Sequence, residues 1–155
     1  MGVKLKIVTD PLNLKKYIRN IKDFPIDGIE FRDITSLIES PDAFVRTCDE
    51  LIKITKDFNP SAVASIESRG FIFAGSISYK LALPFVLARK PGKLPNATFK
   101  KNFDLEYGST SIEIQKNTVL KASDRVVIVD DLVATGGTAI AVSYTHLRAH
   151  ETSLH

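Results

Sequence analysis

Val126-Val127-Ile128-Val129-Asp130-Asp131-Leu132-Val133-Ala134-Thr135-Gly136-Gly137-Thr138 decides how the rest of the chain is read. Four consecutive β-branched apolar residues predict a buried strand of the kind found in parallel sheets. Two carboxylates stop it, and a Gly-Gly pair between threonines comes next. Ala134, Thr135, Gly136, Gly137 and Thr138 supply what a phosphate needs: backbone that can approach closely, successive N–H groups, two hydroxyls and a helix N-terminus with its positive dipole. Asp130 and Asp131 cannot hold the same phosphate. They suit the hydroxyls of a sugar, or a metal reached through its water molecules, so a ribose phosphate fits better than free phosphate. A Walker A loop is excluded, because Gly-x4-Gly-Lys-[Ser/Thr] is absent.

Upstream, Ala62-Val63-Ala64-Ser65-Ile66 is short, apolar and preceded by Asn59-Pro60, and predicts a second buried strand; a helix succeeds it from about Gly70 to Leu83, then a third strand, Pro84-Phe85-Val86-Leu87-Ala88. Strand, helix and strand in that order make a βαβ unit with parallel strands. Each buried strand ends in charge: Glu67-Ser68-Arg69, Arg89-Lys90 and Asp130-Asp131. In an open parallel sheet such ends face one crevice, where ligands bind.

Nearer the N-terminus, Asp10-Pro11 starts a short amphipathic helix through Leu14, Tyr17, Ile18 and Ile21. Residues 23–34 read as turn-rich. Ser40-Pro41 then opens a helix with Phe44, Val45, Cys48, Leu51 and Ile52 on one face. Residues 90–107, rich in Lys, Pro, Gly and Asn, read as a long polar loop, and residues 111–115 alternate around Ile112 and Ile114 as a half-exposed strand.

With 155 residues, 44% of them hydrophobic and 25% charged, the chain can bury one ordinary core, which excludes collagen-like, low-complexity and disordered classes. The longest apolar run, residues 81–88, has eight residues and contains Pro84, against about twenty for a membrane span. A single cysteine, Cys48, cannot form an internal disulfide, and no apolar signal region succeeds Met1, so cytoplasm is the expected compartment. A net charge of +3 and a pI near 9.0 permit phosphate-bearing partners.

The loop resembles the ribose-phosphate loop of type I phosphoribosyltransferases. Four more segments resemble the adenine-specific members in order and approximate spacing: Phe24-Pro25 with Gly28 and Phe31-Arg32-Asp33-Ile34, Glu67-Ser68-Arg69-Gly70-Phe71, Arg89-Lys90-Pro91-Gly92-Lys93-Leu94-Pro95, and Leu105-Glu106-Tyr107-Gly108. The resemblance implies an α/β fold, a Rossmann-like parallel sheet flanked by helices with a mobile lid loop. It implies a purine-salvage transferase that forms AMP and pyrophosphate from adenine and phosphoribosyl pyrophosphate (PRPP), with Mg2+ bound through PRPP and a homodimeric assembly. By carry-over, Asp130 and Asp131 hold the ribose hydroxyls and residues 134–138 the 5′-phosphate. Arg69, Arg89, Lys90, Lys93 and Tyr107 serve pyrophosphate, with Arg89 reaching across the dimer. Glu106 handles the adenine proton, with Arg69 as its catalytic companion, and Phe31 and Arg32 form the adenine pocket. The loop does not select the base, so another purine, or a PRPP-sensing regulator that binds nucleic acid, stays open.

The resembling segments run across residues 24–139, and residues 1–141 are the expected transferase domain, read as incomplete. Residues 142–155 read as a non-family tail, with His146 and His150 four apart, and the sheet as incomplete at its C-terminus. A chain that stops there is expected to be weakly folded or inactive, since a missing internal strand leaves apolar surface and unpaired backbone exposed.

Overall fold

The structure, a computed structural model, describes residues 12–105 and 108–132, with their side chains except those of 103–110. The chain divides into two compact units, Met1–Glu50 and Leu51–His155.

In the first unit a short 3-10 helix, Leu14–Tyr17, precedes β1 (Arg19–Lys22), which pairs antiparallel with β2 (Glu30–Asp33) in the register Arg19↔Asp33 to Lys22↔Glu30. This corrects the helix expected through Ile21. The apolar spacing there spans too few turns to sustain a helix without packing, and a hairpin partner is available about ten residues on. All four residues of β1 are exposed. The turn between the strands places Gly28 at φ +85°, and its amide donates to Asp23 Oδ1 at 2.8 Å. Asp33 then does two jobs: it takes Arg19 Nη2 at 2.7 Å and accepts the Thr35 amide at 2.9 Å, opening α1 (Thr35–Glu39), a turn of helix the periodicity did not reveal. Helix α2 (Pro41–Asp57) starts where Ser40-Pro41 predicts and carries the chain from the first unit into the second. Its buried positions are Ala43, Cys48, Ile52 and Thr55; Val45, expected on that face, is exposed.

The second unit holds the parallel sheet. Strands β3 (Ala62–Ile66), β4 (Phe85–Ala88) and β7 (Val126–Val129) lie in the order β4–β3–β7, with Val63 opposite both Phe85 and Val127. Helix α3 (Gly70–Leu81) links β3 to β4 as the βαβ pattern requires. The central strand is buried throughout. One face of the sheet, Ala62, Ala64, Ile66, Val86 and Ala88, packs with Ile112, Ile114 and Leu120. Helix α3 buries Phe73, Ala74 and Ile77, one face at helical spacing. Burying each such Val, Ile or Phe contributes roughly 1.5–3 kcal/mol, which fixes the strands and hence the residues at their ends. Strand β7 is only partly buried before Val129, because among the described residues it pairs on one edge alone.

The polar loop expected over residues 90–107 is mostly strand. β5 (Thr98–Leu105) and β6 (Gly108–Gln115) form an antiparallel ladder from Thr98↔Gln115 to Leu105↔Gly108, so among the described residues of that stretch only 90–97 are irregular. Lysines at Lys100 and Lys101 masked the strand, whose register is set by Ile112 and Ile114 burying into the core. Arg89 and Glu113 exchange backbone hydrogen bonds of 2.9 and 2.7 Å, joining the hairpin to the end of β4.

Candidate active site

Because β3, β4 and β7 are parallel, their C-terminal ends lie along one edge, and the residues just beyond them are delivered there together. Arg69 Nε lies 2.9 Å from Asp131 Oδ2, tying the end of β3 to that of β7; the Asp131 side chain is 8% exposed and Arg69 37%. Arg89 Nε donates to Glu67 Oε2 at 2.7 Å, tying the ends of β3 and β4. The Glu67–Ser68 peptide between these two ties is cis.

Gly70 sits where no side chain fits. A Cβ there would lie 2.5 Å from Ser65 Oγ, 2.6 Å from Asp130 Oδ1 and 3.1 Å from Asp130 Cα. Glycine therefore lets the start of α3 close on the end of β7. Ser65 is fully buried, and its Oγ has no hydrogen-bond partner among the described residues. Asp130 Oδ1 accepts the Asp131 amide at 3.0 Å. Burial pushes the Asp130 carboxyl up to about 6; the neighbouring Asp131 charge adds to this, while the Asp131 amide and Arg69 oppose it. Asp33 in the hairpin goes the other way, held below the ordinary carboxylate range by its hydrogen bonds from Thr35 and by Arg19.

Of the residues singled out in the sequence, the sheet edge brings together Arg69, Arg89, Lys90, Asp130 and Asp131, with Lys93 on the turn after β4. Lys90 and Lys93 are both exposed, Arg89 is half-buried, and Arg89 Nη1 donates to the Lys93 carbonyl at 2.9 Å. In the first unit, Phe31 stacks edge-on against Phe24 with ring centroids 5.1 Å apart, while Arg32 meets Asn20 Oδ1 and, at 3.2 Å, Glu30 Oε2. Glu106, Tyr107 and residues 134–138 lie outside the described residues, as do residues 142–155. Among the described residues no three His, Cys, Asp or Glu side chains group as metal ligands, and no helix is long and apolar enough to cross a membrane.

Sequence reading passed over three residues that shape this edge. Gly70 carried a signal, since glycine directly after Glu-Ser-Arg at a strand end suggests close backbone approach. Ser65, inside an apolar strand, and Glu113, inside an alternating one, carried none; only the three-dimensional pairing places them.

The phosphoribosyl transferase domain family matches residues 36–153, a span that includes most of the segment read as departing from the family. An adenine phosphoribosyltransferase of Carboxydothermus hydrogenoformans is 52% identical over 127 residues, 82% of this chain and 74% of that protein. The crystal structure of the adenine phosphoribosyltransferase of Thermoanaerobacter pseudethanolicus superposes with a TM-score of 0.82 at 44% identity, covering 86% of this chain and 77% of the other. That of Giardia lamblia, complexed with 9-deazaadenine, gives 0.83 at 37% identity over 92% and 79%.

Proposed function

The chain belongs to the phosphoribosyltransferase family, and from that premise we propose that it transfers the phosphoribosyl group of PRPP to adenine, forming AMP and pyrophosphate in purine salvage. The observation that carries the reading is the sheet edge: the acids after β3 and β7 and the cations after β3 and β4 pair there as Arg89–Glu67 and Arg69–Asp131, in a chain 52% identical to an adenine phosphoribosyltransferase. In the transfer, the bond from C1 of the ribose to the pyrophosphate oxygen breaks and its electron pair leaves with pyrophosphate. A bond forms from adenine N9 to C1, and the N9 proton is lost.

Negative charge grows on pyrophosphate as the sugar becomes cationic, so fixed cations at that oxygen lower the barrier. Arg69, Lys90 and Lys93 are assigned that role, with Arg89 and Tyr107 beside them. Asp130 and Asp131 accept the ribose hydroxyls, residues 134–138 cradle the 5′-phosphate, and Glu106 takes the proton. Phe31 and Arg32 are assigned to the base.

Asp131 is already engaged by Arg69, and burial favours the neutral form of Asp130. That donor chemistry suits a Mg2+ ion held by the pyrophosphate oxygens and water rather than by an all-protein cage. When bound, the ion neutralises phosphate charge; the protein's part is to orient the sugar through the two acids.

The β5–β6 hairpin is assigned as the lid, and lower hydrogen exchange across residues 90–105 with PRPP is its expected signature. Two copies of the chain are proposed to pair, which sedimentation checks, with Ile72, Tyr79 and Leu87 as exposed apolar side chains available for contact. The cytoplasm is the proposed compartment. The deciding experiment is competition among adenine, hypoxanthine, guanine and xanthine with PRPP and Mg2+, separating products chromatographically. AMP is expected as the dominant product; preference for another base, or no consumption of PRPP, overturns the reading.

A further inference from the structure

We propose that Glu67 is a positioning residue that sets the cationic turn 89–93 for the phosphates of PRPP, with Glu113 bracing the turn from its other side. The inference rests on the transferase reading and names a residue to which that reading gives no role.

Glu67 comes directly after β3, and its amide donates to the Ala88 carbonyl at 3.0 Å, extending the β3–β4 ladder by one step. Its side chain is 10% exposed, and the two oxygens take different donors. Oε2 accepts Arg89 Nε at 2.7 Å, and Oε1 accepts the Lys90 amide at 3.1 Å. One carboxylate thus holds a side chain and the adjoining main chain of the next strand. Arg89 passes the constraint on through Nη1 to the Lys93 carbonyl, and the Lys93 amide closes the turn on the Lys90 carbonyl at 3.3 Å. Gly92 takes the left-handed conformation this turn needs, φ +74°, and its amide donates to Glu113 Oε2 at 3.2 Å. Glu113 is itself fixed by its backbone exchange with Arg89. The backbone that presents Lys90 and Lys93 is therefore clamped from β3 on one side and β6 on the other.

A carboxylate beside a site for a polyanion is electrostatically unfavourable, so charge and geometry predict opposite results when it is removed. If Glu67 only sequesters Arg89, neutralising it frees a cation and removes a negative charge, and PRPP binds more tightly. If it positions the turn, PRPP binds less well although the local charge has become more positive.

Glu67→Gln keeps an acceptor oxygen for the Lys90 amide and loses the ion pair; Glu67→Ala removes both. The expected result is a KM for PRPP raised about tenfold in Glu67→Ala and less in Glu67→Gln, with kcat falling as the cations of the turn are displaced and the KM for adenine changed by no more than about twofold. Faster hydrogen exchange at the amides of Lys90, Gly92 and Lys93 should accompany it in Glu67→Ala. A KM for PRPP that is unchanged or lower in either folded variant, judged by its thermal transition, overturns the proposal. If Glu67→Ala does not fold, Glu67→Gln carries the same sign test. The unmodified chain is assayed alongside: its failure to bind PRPP sinks the transferase reading, whereas normal wild-type binding with unaltered variants sinks this inference alone.

Discussion

At the N-terminal ends of β3 and β7, Ser61, Asp124 and Arg125 form a closed set of bonds. The Ser61 hydroxyl donates to Asp124 Oδ1 at 2.8 Å and accepts the Arg125 amide at 3.0 Å, and the Ser61 amide reaches the Arg125 carbonyl at 2.9 Å. At the C-terminal ends of the same strands the polar groups are incompletely matched. Ser65 Oγ is buried without a partner among the described residues, Asp130 is pressed against Gly70, and burial works against its charge. Both ends are charged, and their bonding sets them apart. The first end satisfies its polar groups and thereby holds the sheet together. The second keeps a tight contact and unfavourable charge, the condition in which a ligand's hydroxyls and phosphates have something to gain.

The comparison breaks most visibly at Gly70. Gly70→Ala puts a methyl group within 2.6 Å of Asp130 Oδ1, and the expected result is a fall of about a hundredfold in kcat/KM for PRPP through displacement of the acid. A destabilisation of about 1–3 kcal/mol should appear in denaturant titration. Near-normal kinetics would show that the close approach has no part in binding. Asp131→Asn, which weakens the tie to Arg69, should lower kcat/KM about tenfold. Because Arg69 is 37% exposed and solvent screens the pair, the loss of stability should stay near about 1 kcal/mol.

Changing the pH tests the same end without mutation. With its folded pKa raised from 3.8 to about 6, Asp130 binds its proton more tightly in the native state. Its contribution to stability is fully present below about pH 3.8 and is lost as the pH rises through about 6. The proposed role of Asp130, accepting ribose hydroxyls, has the opposite demand, so PRPP affinity should decline as the pH falls below about 6. Asp130→Asn should remove both dependences, which melting curves and PRPP titrations from about pH 4 to about pH 8 would reveal; an unchanged profile assigns them elsewhere.

The finest test uses two serines at opposite ends of β3. Ser61→Ala should cost about 1 kcal/mol by opening a satisfied network, whereas Ser65→Ala should gain up to about 1 kcal/mol by removing a buried hydroxyl that has no partner among the described residues. Neither depends on substrate, and equal signs in equilibrium unfolding would erase the contrast between the two ends.

Much of the site was legible because parallel strands read as uninterrupted apolar runs: Ala62–Ile66 and Val126–Val129 stand out, and the charges after them can be assigned to one sheet edge before any coordinates are known. Elsewhere the pattern misled. Leu14, Tyr17, Ile18 and Ile21 match a helical stripe, yet β1 forms because β2 supplies ladder partners that a local reading does not see. Lys100 and Lys101 made β5 look like loop, although pairing with β6 decides its conformation.

By itself, then, the sequence determined the parallel βαβ core, the strand-end charges and the family, since hydrophobic period and motif spacing are properties of neighbouring residues. Only the tertiary structure decided which charges pair, that Gly70 must stay bare beside Asp130, and that Glu67 clamps the turn of Lys90 and Lys93. Those contacts join residues 22 or more positions apart, and their distances are set by how buried strands pack rather than by any local preference of the chain.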